Sequence, residues 1–236
     1  MGGWPSCTPL TYVQLKRKFE HGRWTVWFVD SLLGVASVYL LLLVPADVWV
    51  WTGLQHMIQL LEGTIGWIRK NPVGLKMNHH VSESLAQFFS YHIFLWQTFV
   101  SAVYSKCVIT AFRFSGILGV STLIASVIDV VNLFTLHILC FHIYASRLAV
   151  LSFKALISLL RFFCGVKYNP LRKRVDSVSL DSRQLFLATL FLTILIFLLP
   201  TIGVYFLVFS TLHYAVYCLR FLLHSTLDGV NAVLTY

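Results

Sequence analysis

The sequence predicts an all-α, multi-pass membrane protein with amphipathic helices at the interface. Hydrophobic residues make up 58% of the 236-residue chain and charged residues only 11%, whereas a soluble domain carries about 25% charged residues. The apolar residues form runs of membrane-spanning length: between Arg113 and Arg147 the only formally charged residue is Asp129. The net charge of +9 falls mostly in short segments between these runs, as is typical of loops beside anionic lipid. This distribution argues against nucleic-acid binding, which needs basic residues gathered on one face.

Four segments are predicted to enter the membrane because they are apolar over about the length of a transmembrane helix. Residues 25–44, 117–139 and 185–209 are expected to cross the bilayer, whereas residues 85–104 either cross it or re-enter. The basic residues before the first span and the basic cluster at residues 172–174 both favour the cytoplasm. An even number of crossings must therefore separate them, and both two and four satisfy this condition.

Three amphipathic helices are expected to lie in the membrane interface or against a partner helix. Each has apolar residues on one helical face and polar residues on the other. These helices occupy residues 54–70, 148–164 and 211–227. Together with the spans they form one membrane domain over residues 25–228, flanked by a basic segment, residues 1–24, and by a C-terminal tail, residues 229–236.

Several local features predict where helices end and how they pack. The basic flank is expected to be a solvated tail, and Asp30 is expected to stay at headgroup level. Gly116 and Gly119 have the spacing that allows close helix contact. Ser82 is expected to be the N-cap of a helix, and Gly165 is placed to end another.

Asp129 is the most informative single residue, because a carboxylate at bilayer depth is costly and usually faces a partner or a wet cavity. Asn132 lies about one helical turn further on and is expected to share its face. Asp129 either contacts another subunit or a bound lipid, or it is a hydrogen-bonded acid that supports packing within the chain. The sequence leaves both alternatives open.

Three runs of residues occur in a fixed order along the chain. They are Asn71-Pro-Val-Gly-Leu-Lys-Met-Asn78 followed by Phe88-Phe-Ser-Tyr-His-Ile-Phe-Leu-Trp96, then residues 136–148, then residues 168–177. Over roughly residues 25–228 the chain resembles the conserved core of the PIG-Q family. Members of that family usually carry a long additional N-terminal region, so the resemblance implies a short form that lacks it.

The resemblance implies a function and a set of partners. Members of the PIG-Q family are a subunit of the complex that transfers N-acetylglucosamine from UDP-GlcNAc to phosphatidylinositol, the first step of GPI-anchor biosynthesis. The resemblance therefore implies an endoplasmic-reticulum membrane protein that assembles and stabilises this complex, while a PIG-A-like subunit carries the glycosyltransferase chemistry. The other implied partners are PIG-C, PIG-H, PIG-P and PIG-Y.

Two sets of residues are candidates for contacts outside the chain. The candidates for a partner or lipid contact, besides Asp129 and Asn132, are Asn71, Pro72, Gly74, Lys76, Asn78, His92 and Trp96. The candidates for binding a phosphoinositide headgroup or anionic lipid are Lys76, Arg172, Lys173 and Arg174, because Lys and Arg donate to phosphate. The alternative for these basic residues is that they only set the topology.

No catalytic residue, metal site or cofactor is expected. The sequence has no glycine-rich nucleotide-binding loop after a strand, and its five cysteines form no CxxC pair. One alternative is a stand-alone membrane enzyme that acts on a lipid, with Asp129 and His92, His137 or His142 as acid and base. A transporter is a weaker alternative, because the sequence has no internal repeat.

Overall fold

The structure is a computed structural model of the chain. It describes residues 9–21, 24–43, 46–70, 74, 77–103, 109–177 and 179–234. The chain forms two compact units. The first unit comprises residues 1–61, 92–137 and 213–236, and the second comprises residues 62–91 and 138–212.

Helices make up most of the described residues, which confirms the predicted all-α class. In chain order they are α1 (Leu10–His21), α2 (Trp24–Leu43), α3 (Ala46–Arg69), α4 (His79–Val103), α5 (Ile109–Ile117), α6 (Val120–Phe134), α7 (Leu136–Phe163) and α8 (Ser182–Val233). The connection between α7 and α8 contains an antiparallel hairpin that was not predicted. Its strands are β1 (Val166–Asn169) and β2 (Arg174–Ser177).

Two of the described helices, α7 and α8, are long and apolar enough to cross a membrane. At 1.5 Å per residue, the 52 residues of α8 extend about 78 Å, whereas the hydrocarbon core is about 30 Å thick. A membrane-crossing α8 would therefore extend beyond this core or run along it. Shorter apolar helical stretches occur at Trp24–Leu40 and Val120–Phe134.

The predicted span at residues 117–139 is divided in the structure. Gly119, at a φ of 129°, separates α5 from α6. Thr135 separates α6 from α7, and its hydroxyl donates to the Val131 carbonyl at 2.7 Å. A side chain that bonds to its own backbone competes with helix continuation. Helix α7 joins the end of the predicted span 117–139 to most of the segment 148–164, which was predicted to be a separate helix.

The predicted segments 185–209 and 211–227 are likewise joined, in α8. Pro200 lies inside this helix without ending it. At α4 the start also differs: the helix begins at His79, and the Asn78 side chain accepts from the Val81 N–H at 3.2 Å, so Asn78 and not Ser82 acts as the N-cap. Gly165, at a φ of 69°, follows the end of α7 as predicted. Which helices cross the membrane and which lie in the interface stays a prediction.

Each unit has its own apolar core. In the first unit, one cluster forms around Leu54, Val100 and Phe134 and another around Ala125, Ile128 and Leu227. The core of the second unit is aromatic: Phe89 has its ring centroid 5.1 Å from Phe141, 5.7 Å from Tyr205 and 4.4 Å from Phe209. These distances are typical of favourable aromatic pairs.

Helix α2 meets the α5–α6 connection with almost no space between the two backbones. A Cβ atom on Gly34 would overlap the Gly116 carbonyl oxygen and the Gly119 backbone. A Cβ atom on Gly116 would overlap the Val38 side chain. The predicted close contact at Gly116 and Gly119 is confirmed, and glycine is also required opposite them at Gly34.

We expect Gly34→Ala to lower the midpoint of thermal unfolding in detergent, because the added methyl group would push two backbones apart. Overpacking of this kind costs about 1–3 kcal/mol or more. Gly53→Ala is the matched control, since a Cβ atom on Gly53 in α3 has nothing within 4 Å. The control should be neutral or stabilising by up to about 1 kcal/mol. Equal midpoints for the two variants would contradict the close contact.

Candidate functional site

The N-terminal basic segment is a docked helix for much of its length. Along α1, Leu10, Gln14 and Lys18 follow one another at intervals of four residues and all turn inward. Lys16 and Arg17 lie on the outer face and are exposed. The expectation of a solvated tail is therefore wrong for Leu10–His21. Of the three consecutive basic residues, Lys16 and Arg17 are exposed and only Lys18 is buried.

The buried ammonium group of Lys18 forms an ion pair with Asp30 of α2. Its Nζ lies 2.5 Å from Asp30 Oδ2, and the two side chains are 2% and 0% exposed. Lys18 Nζ also donates to the Leu118 carbonyl at 2.7 Å. Asp30 accepts from the Ser121 backbone N–H at 3.2 Å and from its hydroxyl at 2.9 Å. This carboxylate is enclosed by protein donors, and its place at headgroup level stays a prediction.

Glycine is required at position 119 for two independent reasons. Its φ of 129° lies in a region that L side chains rarely adopt. A Cβ atom there would also overlap the ion pair itself, at Asp30 Oδ2 and Lys18 Nζ. The backbone at Gly119 therefore forms one wall of the ion-pair site.

Asp129 of α6 holds the other end of α1. Its Oδ1 accepts from the Leu10 N–H at 2.9 Å, and its Oδ2 accepts from the Thr11 N–H at 3.0 Å and from the Thr11 hydroxyl. The first N–H groups of a helix lack partners within the helix, and a carboxylate there also complements the helix dipole. These contacts follow the intramolecular alternative of the sequence analysis. A contact of Asp129 with a partner or lipid stays a prediction.

The α6–α7 junction is capped by a residue from α8. Arg220 donates to the Thr135 hydroxyl at 2.8 Å, and its guanidinium lies 3.5 Å from the Asn132 carbonyl oxygen. A cation at this position complements the negative end of the α6 dipole. Two further candidates lie in α4: the Trp96 ring packs on His137 with a centroid distance of 3.9 Å, and His92 is half-buried.

The structure describes only part of residues 71–78, the first of the motifs that carry the family resemblance. Asn71, Pro72 and Lys76 lie outside the described residues. Gly74 is exposed with a φ of 69°, a conformation that glycine adopts without strain. Asn78 caps α4, and its N–H donates to the Thr201 hydroxyl of α8 at 3.0 Å. The end of this run is thus fixed to α8 within the second unit.

The first turn of α4 is held by two further contacts that the sequence does not predict. The Tyr205 hydroxyl of α8 donates to the Ser82 carbonyl at 3.0 Å. Arg69 of α3 forms two hydrogen bonds to Glu83, at 3.0 and 2.7 Å. Thr201 and Tyr205 are four residues apart and therefore share one face of α8. Polar side chains at this spacing in an apolar helix are the pattern that could have identified them.

The remaining candidates lie on the β1–β2 hairpin. Arg172, Lys173 and Arg174 are exposed, and Arg174 forms an ion pair with Asp176 at 2.8 Å. Elsewhere, His142 of α7 lies 3.3 Å from the Ser210 hydroxyl of α8. Among the residues that the structure describes, no three His, Cys, Asp or Glu side chains come together as a metal site would require.

Comparison with known proteins identifies the family. A family described as "N-acetylglucosaminyl transferase component (Gpi1)" matches residues 7–234. The chain belongs to the Gpi1 family. The match extends beyond the region expected from sequence motifs, since it includes α1 and the end of α8.

Three curated relatives resemble this Gpi1-family chain. Phosphatidylinositol N-acetylglucosaminyltransferase subunit Q is 39% identical over 82% of the chain in both Homo sapiens and Mus musculus. The N-acetylglucosaminyl-phosphatidylinositol biosynthetic protein gpi1 of Schizosaccharomyces pombe is 32% identical over 66% of the chain. The aligned residues cover 25%, 32% and 24% of these relatives, respectively. No solved structure matches the chain.

We expect Lys18→Met to destabilise the Gpi1-family chain strongly, because it leaves the Asp30 carboxylate buried without its cation. Removing one partner of a buried ion pair costs about 3–5 kcal/mol. The matched control is Lys16→Met on the outer face of α1, where an exposed pair with Glu20 at 3.7 Å contributes at most about 1 kcal/mol. Thermal unfolding in detergent measures both.

The double variant Lys18→Met/Asp30→Asn tests the pairing itself. It removes both charges, so its unfolding midpoint should lie above that of Lys18→Met alone. If the double variant is no more stable than Lys18→Met, or if Lys18→Met matches Lys16→Met, the buried pair is not the source of the stability.

We expect Asp129→Asn to loosen α1, because an amide cannot accept at both of the positions that the carboxylate oxygens occupy. A hydrogen bond to a charged group contributes about 1.5–3 kcal/mol. Amide hydrogen exchange over Leu10–His21 should therefore become faster, while the exposed-site control Asp228→Asn should leave it unchanged. Unchanged exchange in Asp129→Asn together with lost assembly would instead assign this carboxylate to a partner contact.

Proposed function

We propose that this chain is a membrane subunit of the complex that transfers N-acetylglucosamine from UDP-GlcNAc to phosphatidylinositol, the first step of GPI-anchor biosynthesis. The observation that carries the proposal is the Gpi1-family match over residues 7–234. The names of the relatives support it, since the human and mouse proteins are called subunit Q of a phosphatidylinositol N-acetylglucosaminyltransferase. The two long apolar helices support a membrane location, and we propose the endoplasmic reticulum.

We further propose that the chain contributes to assembly and stability of the complex and not to its chemistry. Sugar-nucleotide binding in soluble transferases uses a strand–loop–helix unit, whereas the described residues contain only helices and one two-stranded hairpin. The carboxylates of Asp30 and Asp129 each accept hydrogen bonds from the protein. A carboxylate occupied in this way is poorly placed to take a proton from a substrate.

The proposed partners are a PIG-A-like catalytic subunit, PIG-C, PIG-H, PIG-P and PIG-Y. Two contacts with α8 support a structural role for this region: that of Asn78, at the end of the 71–78 run, with Thr201, and that of Ser82, in the first turn of α4, with Tyr205. Contact of Lys76 and of the basic residues of the hairpin with anionic lipid is part of the same proposal.

Affinity purification tests the proposal. The tagged chain is expressed in cells that lack their own subunit Q, extracted in mild detergent, and assayed for transfer of N-acetylglucosamine to phosphatidylinositol. We expect the catalytic subunit and the activity to co-purify. Lys16→Met should co-purify as well as the parent chain, because this side chain is exposed.

Two results would contradict parts of the proposal. A folded chain that purifies without the catalytic subunit and without activity would contradict membership of the complex. Transfer or lipid turnover by the purified chain alone would contradict the non-catalytic role and would support a stand-alone enzyme.

A further inference from the structure

The connection between α7 and α8 carries an exposed apolar tip. Leu171, in the turn between the strands, is 94% exposed, which is the highest value among the large apolar side chains that the structure describes. Tyr168 of β1 lies directly opposite Val175 of β2, and they are 52% and 58% exposed. Paired residues project from the same face of a hairpin. The tip and one face of the hairpin are therefore apolar and uncovered within this chain.

Basic residues lie directly beside this apolar tip. Arg172, Lys173 and Arg174 follow Leu171 directly and are exposed. The neighbouring carboxylate, Asp176, is already bound by Arg174 and by the Asn169 amide at 3.0 Å. No described carboxylate forms an ion pair with Arg172 or Lys173. The hairpin therefore combines an exposed leucine with cations that attract an anionic surface.

The turn is held in a defined shape. The Asn169 side chain accepts from the Leu171 N–H at 3.1 Å and from the Arg172 N–H at 3.3 Å. Lys173 adopts a φ of 49°, which closes the turn before β2 begins. These contacts fix the backbone on both sides of the leucine, so the tip loses little conformational freedom when it binds.

The hairpin is also placed where a bilayer surface would be within reach. It joins α7 to α8, the two described helices that are long and apolar enough to cross a membrane. A four-residue strand extends about 13 Å, and the headgroup layer on each side of a bilayer is about 5–8 Å thick. A tip that starts at the ends of membrane helices needs only a short reach to enter this layer.

We propose that the β1–β2 hairpin docks on the anionic membrane surface, with Leu171 inserted between the headgroups and with Arg172 and Lys173 bound to lipid phosphates. The combination is that of an interfacial anchor, in which apolar insertion and electrostatic attraction act together. The inference rests on the proposed membrane location but not on the proposed transferase function. The hairpin is proposed to bind the negatively charged bilayer surface and not one particular headgroup.

The test uses the full chain in nanodiscs with an environment-sensitive fluorophore at Leu171→Cys, in a background in which the native cysteines are replaced by serine. The matched position is Ser179→Cys, exposed in the same connection but beyond the hairpin. In discs that contain phosphatidylserine, we expect the probe at position 171 to shift to the blue and to be quenched by a lipid-borne nitroxide. The probe at position 179 should respond less.

Charge removal tests the electrostatic part. Arg172→Gln and Lys173→Gln should each lower the docking equilibrium about fivefold in phosphatidylserine discs, and they should have little effect in discs of phosphatidylcholine alone. The response should be the same when phosphatidylinositol replaces phosphatidylserine. Circular dichroism of each variant should stay that of the parent chain, because the substituted side chains are exposed.

Three results would overturn the inference. The first is a probe at position 171 that stays in water in phosphatidylserine discs. The second is a response to phosphatidylinositol alone, which would assign the hairpin to recognition of one headgroup. The third is a blue shift that occurs only when other subunits are present, which would assign the leucine to a protein contact.

Discussion

A single buried ammonium–carboxylate contact joins three segments of the first unit. Lys18 comes from α1, Asp30 from α2, and the groups that complete their hydrogen bonds come from Leu118 and Ser121. Because a charge without its partner is costly in a low-dielectric interior, none of these segments can shift independently of the others. Gly119 is part of the same constraint, since a side chain there would displace the pair. The position of α1 against α6, and with it the contact at Asp129, follows from this arrangement.

The helical class was predictable because composition and periodicity are local properties of the chain. Gly165 and the Gly116–Gly119 spacing were also predicted correctly, since each acts through its own backbone. The continuity of the helices was not predictable. Nothing in the apolar run around Thr135 marks a break, whereas α8 continues through Pro200. The hairpin was missed because two four-residue strands are too short to show a clear alternation of polar and apolar residues.

The sequence predicts some residues of the candidate site but not the contacts that they make. Asp129 stood out because it is the one formal charge in a long apolar run, but its partners on α1 are 118 and 119 residues away. Lys18 was hidden in a basic run, and only its helical spacing from Leu10 and Gln14 distinguishes it from Lys16 and Arg17. Thr201 and Tyr205 were overlooked because hydroxyl groups are common in membrane helices. Contacts between distant elements need tertiary structure, which one sequence does not supply.

The ion pair also has a consequence for the order in which the chain is made. Lys18 and Asp30 leave the ribosome before the groups that complete their hydrogen bonds: the Ser121 donors and the Leu118 carbonyl follow 91 and 100 residues after their respective partners. Until then the two charged side chains have only each other, or water, to satisfy them. The hydrogen bonds that complete the pair can therefore form only after residue 121 has been synthesised.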